Sequence, residues 1–116
     1  MKSIILIGDK TLSLDEIQKI KFENCISYNV SEYSLGIELE SGRLYLDYSD
    51  DIALDYDKEE LDKILIKNPN FISVEYSNLE SLKELLQKME NFKELLVDDD
   101  KGNIVNLKMY LKNIII

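Results

Sequence analysis

Residues 32–48 alternate with period two and turn back on themselves. Tyr33, Leu35, Ile37 and Leu39 fall on one side of an extended chain; Glu32, Ser34, Gly36, Glu38 and Glu40 fall on the other. That is the pattern of a strand with one face buried. Ser41-Gly42 follows as a tight turn, where glycine tolerates the positive φ that such hairpins need. The return run then puts Leu44, Leu46 and Tyr48 inside and Arg43, Tyr45 and Asp47 outside. Glu38, Glu40, Tyr45 and Asp47 are therefore expected to share one exposed sheet face.

The remaining elements are read around this hairpin. Residues 3–7 form an apolar first strand ended by Gly8-Asp9. Ser13 and Glu16 stand at capping-box spacing ahead of a short helix with Leu14, Ile17 and Ile20 on its apolar edge. Residues 24–30 alternate loosely and read as a second strand. Residues 50–56 fit either a loop or a further short strand. A helix is expected from Asp57, with Leu61, Ile64 and Leu65 on one side and acids in its first turn, ended by Asn68-Pro69-Asn70. Residues 71–76 read as a strand. Ser77 and Glu80 again have capping-box spacing, ahead of the best amphipathic helix: Leu79, Leu82, Leu85, Leu86 and Met89. Strands are expected at 92–97 and 103–105, separated by a polar turn at 98–102. Asn106 caps a last helix carrying Leu107, Tyr110, Leu111 and Ile114 on one face.

The order β-α-β-β-β-α-β-α-β-β-α predicts one α+β domain over residues 1–116. Its sheet is mixed or mostly antiparallel, of five to seven strands, with three to four helices packed on it. Residues 3–30 and 71–97 each have the form of a strand-helix-strand crossover. With 45% apolar residues in 116, the chain is expected to be one domain, long enough to bury a real core and too short for a second domain.

Charge is distributed unevenly. The net charge is −9, and residues 32–62 hold 11 of the 23 acids but only Arg43 and Lys58 of the 14 bases. The rest of the chain balances, so the whole excess sits in about a quarter of the sequence. Such a field repels nucleic acid phosphate and anionic lipid and attracts a basic partner. It also serves solubility, the simplest reading of any acidic face.

Much chemistry is excluded by composition. There is no histidine, which removes Ser-His-Asp and Cys-His catalysis and histidine metal sites. Cys25 is the single cysteine, so no intramolecular disulfide forms, and a small core residue is expected there. Gly8, Gly36, Gly42 and Gly102 build neither GxGxxG nor a phosphate-binding loop. Asp47, Ser49 and Asp51 imitate the start of a calcium loop, but Ile52 and Lys58 occupy the places that need Gly and Glu. Asp98-Asp99-Asp100 ahead of Gly102 is explained by a solvated turn. No metal, cofactor or catalytic carboxylate pair is expected. The five apolar-rich residues after Met1-Lys2 are too few for a signal peptide, and no apolar run reaches 18 residues, so the expected location is the cytoplasm.

Binding is what remains. The opening MKSIILIGDKTLSLDEI, the acidic strand LYLDYSDDI and the ending LLVDDDKGNIVNLKMYL resemble the small acidic immunity proteins encoded beside polymorphic or contact-dependent toxins in bacteria. The resemblance implies a cognate toxin, one-to-one binding and no catalysis. Charge and facing, not the resemblance, select the contact residues: Glu38, Glu40, Tyr45, Asp47, Asp50, Asp51, Asp55, Tyr56, Asp57, Glu59 and Glu60. Tyr45 and Tyr56 are the expected anchors, because tyrosine joins large contact area to a polar tip, whereas Tyr48 faces inward. A basic nuclease is the most natural partner; the alternative is an acidic mimic of nucleic acid, or an adaptor, acting on a DNA-binding protein.

Overall fold

The computed structural model describes residues 2–92, 94–99 and 101–115. Its elements, in chain order, are β1 (Lys2–Gly8), α1 (Leu14–Gln18), β2 (Cys25–Val30), β3 (Ser34–Leu39) and β4 (Gly42–Tyr48). A 3-10 helix (Asp50–Asp55) and α2 (Lys58–Lys63) follow, then β5 (Asn70–Tyr76), α3 (Leu79–Lys88), β6 (Leu96–Asp98), β7 (Ile104–Asn106) and α4 (Leu107–Ile115). The seven strands make one sheet in the order β2-β3-β4-β5-β1-β6-β7. Every neighbouring pair is antiparallel. The fold is α+β.

The hairpin forms in the expected register, with Leu35 opposite Leu46, Gly36 opposite Tyr45 and Glu38 opposite Arg43. A one-residue slip would send each buried leucine and isoleucine to the wrong face, so hydrophobic burial itself holds this register. Tyr33 precedes β3 and is exposed. Gly42 is required by its surroundings. A Cβ there would lie 2.6 Å from Ser77 Oγ and 2.7 Å from Asn78 Nδ2. The turn is docked on the start of α3: the Arg43 N–H donates to Ser77 Oγ at 2.8 Å, the Ser77 N–H to the Arg43 carbonyl, and Asn78 Nδ2 to the Ser41 carbonyl.

The core lies on the face that α1, α3 and α4 cover. Leu82, Leu85, Leu86 and Met89 pack in one cluster with Leu44, Leu46, Ile72 and Val74. Leu79 begins that apolar stripe but is exposed at the helix start. The cap of α3 is Asn78, whose side chain accepts from the Ser81 N–H, and not the expected Ser77 with Glu80. Ser77 is spent on the hairpin turn instead. Ser13 caps α1 by accepting from the Glu16 N–H at 3.1 Å, and Asn106 caps α4 by accepting from the Met109 N–H at 2.8 Å.

The two crossovers join parallel strands, but no such pair is adjacent. β1 separates β5 from β6, and β3, β4 and β5 separate β2 from β1. β6 is shorter than expected, beginning at Leu96 after Glu94 takes a positive φ of 50°. Lys93, inside the expected strand, lies outside the described residues.

Leu86→Ala is expected to lower unfolding stability by about 2–5 kcal/mol in chemical denaturation, as buried leucine truncations do. Gly42→Ala is expected to cost about 1–3 kcal/mol, because the added methyl meets the cap of α3. A loss near zero in either variant would show that the corresponding packing is misplaced.

Candidate functional site

The second face of the sheet divides into two parts. On β1 the residues of this face run from exposed Ser3 through half-buried Ile5 to buried Ile7. On β5 they run from exposed Glu75 through half-buried Ser73 to buried Phe71. One end of the face is covered, and the cover is the acidic segment. Tyr56, Ile64 and Ile66 form a second small core with Ile7 and Phe71, flanked by Ile52 and Ala53. Chain 50–66 is thus a strap with an apolar underside and an acidic top.

Local chemistry explains the shape of the strap. Ser49 caps the 3-10 helix by accepting from the Asp51 N–H. Asp57 and Glu60 form a reciprocal capping box: Asp57 accepts from the Glu60 N–H at 2.8 Å, and Glu60 from the Asp57 N–H at 3.2 Å. Residues 50–56 are therefore neither strand nor loop. The helix that follows stops at Lys63, five residues before the expected stop, and Ile64 is already extended. Ile64 and Ile66 point inward, and Leu65 between them is 91% exposed. Leu61 and Leu54 are exposed as well. Leu61, Ile64 and Leu65 accordingly do not share one buried side.

Tyr56 is a core residue, not an exposed anchor. It is 8% exposed, its ring lies 5.3 Å from that of Phe71, and its hydroxyl donates to Asp98 Oδ2 at 2.5 Å. Burial, then the Asp98 bond, pushes its pKa up. Tyr48 is half-buried against the main core, and its hydroxyl donates to Asp50 Oδ1 at 3.0 Å. Tyr45 is 42% exposed and lies opposite Gly36 in the ladder between β3 and β4.

The carboxylates fall in two groups. Glu38, Tyr45 and Asp47 stand on the uncovered part of the second face, with Glu75 beside Tyr45. Glu38 accepts from Ser27 Oγ and lies 3.7 Å from Arg43. Glu40 is exposed in the turn after β3. The strap carries Asp50, Asp51, Asp55, Asp57, Glu59, Glu60 and Asp62, of which only Glu60 is half-buried. Among the described residues none of these seven is in an ion pair. Asp51, Asp55, Glu59 and Asp62 also make no side-chain hydrogen bond, so their charge faces water uncompensated.

Sequence reasoning missed the exposed apolar members of the strap: Leu54, Leu61 and Leu65. A signal existed for the last. Ile64-Leu65-Ile66 ahead of Asn68-Pro69 fits an extended run as well as a helix, and an extended run puts Leu65 opposite its neighbours. Among the described residues no group of three or more Cys, Asp or Glu side chains is placed to hold a metal ion. Asp99 is occupied by its turn. Burial alone would raise its pKa, but the N–H groups of Asn103 and Lys101 hold it below the usual range. Asp100 lies outside the described residues. No described helix is long and apolar enough to cross a membrane. No protein-family model, curated protein or solved structure matches this chain.

Burial raises the pKa of Asp98, and the Tyr56 hydroxyl opposes that rise. A raised pKa means that the ionised carboxylate fares worse in the fold than in the unfolded chain. Asp98 therefore subtracts stability as pH climbs from the ordinary carboxylate range through its raised value. Tyr56→Phe is expected to move the Asp98 titration, followed by NMR, to still higher pH. It should cost about 1–2 kcal/mol at neutral pH and less in acid, where the protonated group needs the donor less. An unmoved titration would show that the hydroxyl does not serve Asp98.

Proposed function

We infer that the strap is a binding surface for a basic protein, and that the chain acts by occlusion rather than by catalysis. One observation carries this reading: among the described residues, seven carboxylates on chain 50–66 are free of ion pairs and share that short segment with exposed Leu54, Leu61 and Leu65. Solubility accounts for the acids but not for leucines turned to water among them. An interface accounts for both. Apolar side chains supply the contact that water exclusion makes favourable, and a surrounding charged rim sets partner choice and association rate.

The partner that this surface fits carries Lys and Arg around an apolar depression. Enzymes that act on nucleic acid concentrate bases at their active sites to hold phosphate, and a carboxylate-rich cover would shut such a site. The resemblance to small acidic immunity proteins supports the same reading, with a toxin nuclease as the enzyme covered. Tyr45, Asp47, Glu38 and Glu40, on or beside the uncovered sheet face, extend the acidic surface beyond the strap. The site of action under this reading is the cytoplasm of the cell that makes the toxin.

Co-expression with the product of the gene immediately upstream is expected to restore growth and to yield a complex that weakens with salt. Replacing Asp51, Asp55 and Glu59 together by Lys should slow association most at low ionic strength and leave thermal unfolding nearly unchanged. Leu65→Ala should instead speed dissociation. Growth rescue that survives both sets of changes would remove the strap from the mechanism. Absence of rescue, with capture of a DNA-binding protein, would favour the nucleic-acid mimic.

A further inference from the structure

The two edges of the sheet are unlike. The β7 edge is three residues long and runs directly into α4. The β2 edge is six residues long, and the stretch 24–31, NCISYNVS, holds neither a charged residue nor a proline. Proteins guard long edges against pairing with charge, proline or brevity, and the middle of this one has none of these. Its one irregularity is a bulge between Cys25 and Ser27, at the far end of the strand. Ile26 and Val30 are 61% and 54% exposed, and Tyr28 is exposed beside them.

The ladder to β3 shows which backbone groups are free. The Ser31 N–H donates to the Ser34 carbonyl, which makes those residues a hydrogen-bonded pair. Antiparallel pairs alternate, so Asn29 with Gly36 and Ser27 with Glu38 are also bonded, whereas Tyr28 and Val30 turn their N–H and C=O groups away from β3. These outward groups await a further strand.

We propose that the β2 edge is a self-association site, and that a second copy of this chain pairs with it antiparallel about a two-fold axis at Asn29. This register engages the outward groups of both Tyr28 and Val30 and avoids the bulge. It sets Tyr28 beside the partner's Val30, Asn29 beside the partner's Asn29, and Ser27 beside the partner's Ser31. Apolar meets apolar and polar meets polar, as an isologous contact requires. Charge selects the same place. Two chains of net charge −9 repel most where their 32–62 segments approach each other, and 24–31 is an uncharged stretch through which they can meet instead. The sheet then continues from one copy into the next, leaving both straps clear of the contact.

Sedimentation velocity over a range of concentrations tests this on the unaltered chain. A monomer–dimer equilibrium is expected, tightening as salt screens the mutual repulsion. That response is opposite in sign to the weakening expected for a basic partner, so either reading can fail without the other. Val30→Glu should abolish the dimer and leave the circular dichroism and melting of the monomer unchanged. In a Cys25→Ser background, Asn29→Cys should oxidise to a covalent dimer, because facing residues of a non-hydrogen-bonded pair stand about 4.5 Å apart, within disulfide reach. A chain that stays monomeric at high concentration and high salt would overturn the proposal. So would a dimer that survives Val30→Glu or fails to crosslink through position 29.

Discussion

The structure depends on β1, which is first in sequence and interior in the sheet. Its neighbours are β5 and β6, brought from far along the chain, and its register with β5 runs its full length, from Lys2 opposite Tyr76 to Gly8 opposite Asn70. Its two faces serve two cores. Ile4 and Leu6 enter the helix-covered core, and Ile7 enters the small one beneath the strap. A strand buried on both faces cannot alternate with polar residues, and the run Ile4-Ile5-Leu6-Ile7 does not. The strap rests on Ile7 of this strand together with Phe71 of β5.

That arrangement lets a short acidic segment be anchored and exposed together. A segment with seven carboxylates and two lysines between positions 50 and 63 has little reason to fold alone. Three buried side chains, Tyr56, Ile64 and Ile66, tie it to the sheet, and a capping box and a capped 3-10 turn shape its top. Preorganised charge and apolar contact lower the ordering cost of association. The binding reading rests on this combination of a fixed underside and an uncompensated upper surface.

Most secondary structure was legible in the sequence because its signals are local. Period-two alternation marked the hairpin, 3.6-residue spacing marked α3 and α4, and Asn106 announced its helix. The cap of α3 is ambiguous in the sequence because Ser77 and Asn78 both suit the position. The hairpin turn claimed Ser77, a contact 34 residues away that no local pattern records. Tyr56 departs from the sequence expectation for a related reason. Among acids it looks like a surface residue, and only the distant Phe71 and Asp98 make it a core one.

The sequence by itself determined the class of fold, the order of elements and the concentration of negative charge, because composition and periodicity need no knowledge of distant contacts. The tertiary structure alone decided that β1 sits between β5 and β6, and that the strap lies on the second face with Tyr56 beneath and Leu65 above. It also decided that β2 is left as an open edge. Each of these follows from which distant surfaces meet, and a helix or strand pattern fixes only which side of an element is apolar, not what covers it.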